Sequence, residues 1–148
     1  MPHRYPLTLS WRGTTASADY SRNAGVTNPG KHDLAVSSAP EYAGDATRWN
    51  PEDLLGSALA TCHMLTFLAL AAKARLEVTA YDDRAEAILD TVDKGTSVTE
   101  IHLSPAIRVA RGTDAAKVVE LFHKAHKYCF VANSIKCKVV MAPRVIEA

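Results

Sequence analysis

The chain has 148 residues, and its 17 Lys and Arg nearly balance 16 Asp and Glu for a net charge of +1. That length suits one domain spanning residues 1–148, and the charge balance leaves no broad basic field for a nucleic-acid backbone or an anionic membrane. Three cysteines, Cys62, Cys129 and Cys137, are too few for a disulfide framework, and Met1 to Trp11 lacks the continuous apolar core of a secretory signal. A cytoplasmic protein is expected, in which any disulfide is transient and catalytic rather than structural.

In chain order, residues 1–48 read as short strands separated by turns. Tyr5 to Arg12 alternates loosely, Asp33 to Ser37 is a second run, and Asn28-Pro29-Gly30 marks a turn between them, so an antiparallel sheet is the economical reading. Pro40 to Trp49 follows as a loop bent at Gly44-Asp45. Asn50-Pro51-Glu52-Asp53 then sets a capping residue before a proline and two acids, which predicts a helix start. Leu55, Ala58, Cys62, Leu65, Ala69 and Ala72 recur at spacings of three and four, which predicts one inward face on a helix running to about Ala74. Leu54 to Ala72 holds no Asp, Glu, Lys or Arg over nearly the length of a bilayer span. It also contains Gly56, Ser57, Thr61, His63 and Thr66 and is otherwise rich in alanine, which suits the centre of a soluble core, so no membrane partner is expected.

Beyond Arg75, Glu77 to Thr91 and Thr96 to Ala110 read as two long antiparallel strands joined by a hairpin at Asp93-Lys94-Gly95. Gly112-Thr113-Asp114 predicts a second helix start, with Val118, Leu121, Phe122 and Ala125 carrying the apolar face on to Cys129. A last strand, Lys138 to Ile146, is interrupted by Pro143.

Cys62 has two readings. Free cysteine is often a small buried hydrophobe. To react, it needs help, because an ordinary thiol is only a few per cent ionised at neutral pH, and Cys62 lies three turns from the start of its helix, beyond the reach of the dipole. Arg22 and Arg48, in loops before the helix, are the candidate cations, and Glu52 can hold such a guanidinium by a bidentate carboxylate pair. Each has a plainer role as a solvated loop charge or a first-turn acid. His63, His123 and His126 flank the cysteines without a CxxC or HxxxH spacing, so no metal is expected, and the absence of a glycine-rich phosphate loop argues against a nucleotide cofactor.

Taken together, Arg22, Trp49-Asn50-Pro51-Glu52-Asp53-Leu54-Leu55, Ala60-Thr61-Cys62-His63-Met64-Leu65, Val78-Thr79-Ala80-Tyr81-Asp82-Asp83 and Ala125-His126-Lys127-Tyr128-Cys129-Phe130-Val131-Ala132-Asn133-Ser134 resemble the OsmC/Ohr family of hydroperoxide-reducing proteins, in its Cys-His-Met-Leu branch. The resemblance runs from Tyr20 to the last strand. It implies an α+β fold with antiparallel sheets around a long central apolar helix, and an intertwined homodimer with its active sites at the interface. Position by position, it implies that Cys62 attacks the peroxide, Cys129 resolves the product, Arg22 stabilises the thiolate and Glu52 pairs with that arginine. Phe130 departs from the pattern, because many members carry proline there.

The activity so implied is a thiol peroxidase for organic hydroperoxides, with hydrogen peroxide a second substrate. It needs no cofactor and is recycled by a dithiol reductant, which the resemblance suggests is a lipoyl-bearing protein. Two rivals compete with it. A cysteine hydrolase needs a histidine on Cys62. A small-ligand-binding or stress-related dimer needs only inert core cysteines.

Overall fold

A computed structural model describes all residues, 1–148, and the chain forms two compact units, Met1–Leu54 and Leu55–Ala148. In the first, three short strands, β1 (Thr8–Ser10), β2 (Ala24–Thr27) and β3 (Leu34–Val36), make an antiparallel sheet in the order β1-β2-β3; the turn at Asn28-Pro29-Gly30 is where the sequence puts it, but it joins β3 to β2, a central strand outside the two expected runs. A single 3₁₀ turn over Pro40–Tyr42 opens the following loop. The loop folds back onto β3, where the Ser37 N–H donates to the Trp49 carbonyl at 2.9 Å and the Trp49 N–H to the Ala35 carbonyl at 3.1 Å. Its bend demands glycine at 44, because a Cβ there would lie 1.7 Å from the Ser38 carbonyl oxygen.

Helix α1 (Pro51–Lys73) starts where the cap predicts. Asn50 Oδ1 accepts from the Asp53 N–H at 2.8 Å, and Asp53 Oδ2 accepts from the Asn50 N–H at 3.1 Å, so two otherwise orphaned donors are satisfied reciprocally. The helix ends at a left-handed Arg75 (φ 60°), with Leu76 N–H on the Ala71 carbonyl and Arg75 N–H on the Ala72 carbonyl.

In the second unit the expected pair of long strands is four: β4 (Val78–Asp83), β5 (Glu86–Val92), β6 (Gly95–Leu103) and β7 (Pro105–Val109). The hairpin turn is where the sequence puts it, with Asp93 and Lys94 both at positive φ. The ladder then breaks at Arg84-Ala85 and Ser104, where the Ser104 N–H turns to the Asp83 carboxylate at 2.7 Å and Pro105 has no N–H to offer. The two halves therefore enter different sheets. Helix α2 (Ala115–Tyr128) is capped by Asp114, which accepts from the Lys117 N–H at 3.2 Å. Pro143 divides the last strand into β8 (Lys138–Met141) and β9 (Arg144–Glu147), which join β6 and β7 in parallel to give sheets ordered β5-β6-β8 and β4-β7-β9.

The core of this unit combines Leu59, Phe67 and Ala71 of α1 with Val118, Leu121, Phe122 and Ala125 of α2, closed by Ile101, Leu103, Ile107 and Val109. For α1 this corrects the expected face. Gly56, Leu59, His63, Phe67 and Ala71 point inward, whereas Ala58, Ala69 and Ala72 are exposed and Leu65 is 57% exposed. A helix apolar all round carries several stripes at helical spacing, and only its neighbours choose among them. It is long and apolar enough to cross a membrane, yet 28% of its most apolar stretch is buried within the chain.

Gly44→Ala should destabilise the N-terminal unit by about 1–3 kcal/mol, the usual cost of forced overpacking, while Gly25→Ala, whose Cβ would meet nothing within 4 Å, should stay within about 0.5 kcal/mol of wild type. Both tryptophans, Trp11 and Trp49, lie in this unit, so urea unfolding followed by their fluorescence checks the difference; equal midpoints for the two variants would refute it.

Candidate active site

Two cysteines far apart in sequence meet in the C-terminal unit. Cys62, half-buried at mid-length of α1, lies against the core cluster that contains Cys129, which is fully buried and caps the C-terminus of α2. Both are free thiols, and each influences the ionisation of the other.

The environment treats the two thiols differently. At Cys62 burial is the largest influence and opposes ionisation, but the main-chain N–H of Val131, the Cys129 thiol and the N–H of Phe130 outweigh it, and the pKa falls below the ordinary thiol value. Thr66 also borders this sulfur, but its hydroxyl has one proton, and that proton goes to the Cys62 carbonyl at 2.8 Å. At Cys129 burial again leads; the Ala132 N–H, 3.4 Å from its sulfur, opposes it, while the neighbouring Cys62 adds to it and the pKa rises. One sulfur is thus tuned toward thiolate and the other toward thiol. The donors come from the turn after α2, with no side-chain chemistry of their own, and the sequence reading did not single them out.

Arg22, Arg48 and Glu52 belong to the N-terminal unit. The Arg22 guanidinium stacks on the Tyr20 ring at 3.9 Å and donates to the carbonyls of Tyr20 and Ala18. It lines an open cavity of about 560 Å³ together with Asn23 and Asp45. Arg48 pairs with Asp45 at 3.7 Å and donates to the Ala24 carbonyl at 3.1 Å. Glu52, in the first turn of α1, forms no ion pair, so the expected bond between Arg22 and Glu52 is not made within the chain.

With the cysteine pair goes a family match: the model of the OsmC-like protein family fits residues 44–143, which include both thiols and the cap of α1. The chain belongs to the OsmC-like family. It is 32% identical over 92 residues to the peroxiredoxin OsmC of Escherichia coli, a match that covers 62% of this chain and 64% of that one. An OsmC-like protein of unknown function from Vibrio cholerae has the same fold at 30% identity, with a TM-score of 0.86 over 98% of this chain and 100% of its own. An organic hydroperoxide resistance protein from Legionella pneumophila superimposes with a TM-score of 0.67 at 22% identity, over 97% of this chain and 98% of its own, a likeness of fold alone.

The histidines of this OsmC-like chain make no metal cluster. His63 is fully buried against Phe122, their rings 4.5 Å apart, with no hydrogen-bond partner at either nitrogen, and His126 stands 6.3 Å away. Burial, followed by the charges of His126 and His123, lowers its pKa from 6.5 to about 4, so the ring is neutral at physiological pH. Histidines are likewise not among the groups that shift the Cys62 sulfur within the chain.

Because folded His63 resists a proton that the unfolded chain accepts below pH 6.5, stability is full above that pH and is lost as pH falls from 6.5 toward 4. Between pH 7 and pH 5 the loss assigned to this ring is about 2 kcal/mol. His63→Phe should flatten that part of the urea-denaturation profile; an unchanged slope would contradict the buried neutral ring.

Proposed function

We propose that the protein is a thiol peroxidase that reduces organic hydroperoxides, and hydrogen peroxide less readily, in the cytoplasm, with both units forming a single domain over residues 1–148. The observation that carries this reading is that two free thiols far apart in sequence come together at one core cluster, Cys129 within it and Cys62 packed against it, and the opposed tuning of the pair, Cys62 toward thiolate and Cys129 toward thiol, supports it. The Cys62 thiolate attacks the outer peroxide oxygen, the O–O bond breaks, and the departing alkoxide takes a proton to leave as alcohol. Sulfur is oxidised to sulfenic acid. The Cys129 sulfur then displaces hydroxide, which leaves as water with the proton that Cys129 gives up, and a Cys62–Cys129 disulfide remains. An external dithiol, carried by a lipoyl-bearing protein, returns the two electrons by exchange. No cofactor or metal takes part.

A homodimer completes the site in this reading. The outward stripe of α1, with Ala58, Ala69 and Ala72 around Leu65, is apolar and small enough for a second copy of the helix to pack closely on it. Assembly brings in Arg22 as the cation for the Cys62 thiolate and the departing oxygen, and Glu52 as its partner. The name of the Escherichia coli relative, a peroxiredoxin, supports the same reaction class.

One equivalent of cumene hydroperoxide should convert reduced wild type to an intramolecular Cys62–Cys129 disulfide, read by mass spectrometry, and Cys129→Ser should instead accumulate oxygen on Cys62. Arg22→Ala should slow Cys62 oxidation roughly tenfold or more, the effect of about 1.4 kcal/mol at the transition state. An unmodified Cys62 after the peroxide would favour a non-enzymatic binding dimer with inert cysteines. For the assembly, sedimentation should give a dimer for wild type and a monomer for Leu65→Glu; a dimer unmoved by that charge places the interface elsewhere.

A further inference from the structure

Arg22 is the cation that the peroxidase reading brings to the Cys62 thiolate, yet no carboxylate of its own chain stands within ion-pair distance of it. Asp45, which lines the same cavity, is already engaged: its Oδ1 accepts the Thr47 N–H at 2.9 Å and the Thr47 hydroxyl at 2.6 Å, and its Oδ2 pairs with Arg48. What holds the Arg22 guanidinium is its own loop. Its Cζ lies 3.9 Å from the centroid of the Tyr20 ring, and its two terminal nitrogens donate to the carbonyls of Tyr20 and Ala18, the latter at 3.4 Å. The Tyr20 ring is supported in turn. Trp11 meets it edge-on, with ring centroids 6.3 Å apart and an interplanar angle of 86°, and Trp11 Nε1 donates to the Ser21 carbonyl at 2.8 Å. Gly13 leaves room for the indole, because a Cβ there would lie 2.9 Å from Trp11 Cζ2. The Tyr20 N–H closes the loop on the Ser17 carbonyl at 3.3 Å.

A cation over an aromatic face is attracted by the negative charge of the ring's π cloud, and a planar guanidinium can stack there while its edge stays free for hydrogen bonds. The loop carbonyls take two of the five N–H groups of Arg22, so three remain at the edge for an anion. An unbraced arginine in an open cavity would spread over many rotamers and meet a thiolate in few of them. We infer that Tyr20, buttressed by Trp11, is the positioning residue for Arg22. The ring fixes the plane of the guanidinium, the Tyr20 and Ala18 carbonyls fix its rotation within that plane, and the cation is oriented before any carboxylate joins it. The inference rests on the reading of Arg22 as the cation of the peroxidase. It gives the task of holding Arg22, which that reading leaves to Glu52, to two aromatic side chains.

Two measurements on the full-length chain test it. A proton held over an aromatic face is shifted upfield by the ring current, so the Arg22 Nε–H, assigned by its loss in Arg22→Ala, should stand upfield in a proton–nitrogen correlation spectrum. Tyr20→Leu should move it back toward the other arginines, and Tyr20→Phe, which keeps the ring, should not. Oxidation of Cys62 by cumene hydroperoxide should slow roughly two- to fivefold in Tyr20→Leu, the worth of an exposed cation–π contact, and keep its rate in Tyr20→Phe. In the Arg22→Ala background Tyr20→Leu should slow it no further, because Tyr20 acts through Arg22, whereas a merely structural residue would cost the same in both backgrounds. Should Tyr20→Leu fail to fold, pentafluorophenylalanine at 20 keeps a ring of similar size, reverses the charge on its face and should give the same slowing. An Nε–H signal unmoved by Tyr20→Leu, an unchanged rate in that variant, or an equal slowing with and without Arg22 would overturn the brace. The signal needs no peroxide. Its release by Tyr20→Leu in a chain whose Cys62 is inert to peroxide defeats the peroxidase alone, whereas an unmoved signal in a chain that oxidises Cys62 and is slowed by Arg22→Ala defeats the brace alone.

Discussion

Burial is the largest influence on Cys62, and it pushes the sulfur toward its neutral form. Any chemistry at this position depends on donors that replace the water an exposed thiolate would have. The donors with a fixed place in the chain are main-chain N–H groups beyond the end of α2, joined by the thiol of Cys129. Their supply explains the local architecture. A helix that continued past Tyr128 would spend its N–H groups on its own carbonyls, and the break at Cys129 frees those of the next two residues.

The same exit separates the two thiols chemically. Cys129 is buried, and burial together with the neighbouring Cys62 outweighs the N–H groups of Ala132 and Val131, so it holds its proton more tightly than an ordinary thiol does. Two identical side chains acquire opposite tendencies because donors outweigh burial at one and burial outweighs donors at the other. His63, the neighbour of Cys62 in sequence, belongs to another part of the molecule: the helical rotation of about 100° per residue turns it into the aromatic core beside Phe122 and Phe67.

How much of this is legible in the sequence depends on whether a feature is local. The start of α1 can be read from Asn50 to Asp53, since cap and acids lie within four residues of one another, and the apolar face of α2 is clear because charged residues fill its other side. The face of α1 is not legible. Leu55, Cys62 and Leu65 lie on one helical stripe and Leu59, His63 and Phe67 on another; both are apolar, and the choice is made by strands and α2 residues far along the chain. The division of the long hairpin has a local cause at Ser104-Pro105, but one that shows only once Asp83 is placed opposite. Cys62 and Cys129 stand out as residue types, whereas the N–H groups of Phe130 and Val131 belong to every non-proline residue. The one trace they leave in the sequence is that proline is missing at 130.

Both sheets of the C-terminal unit take their third strand from the far side of α2, β8 beside β6 and β9 beside β7, each in parallel. Parallel partners cannot be joined by a tight turn, so each pairing must close a loop that contains a whole helix. During synthesis the hairpin halves can form early from neighbouring residues, but neither sheet is complete until α2 and the segment after it have left the ribosome. The turn at 129–132 lies on that late segment, so a nascent chain has Cys62 well before it has the donors that surround it.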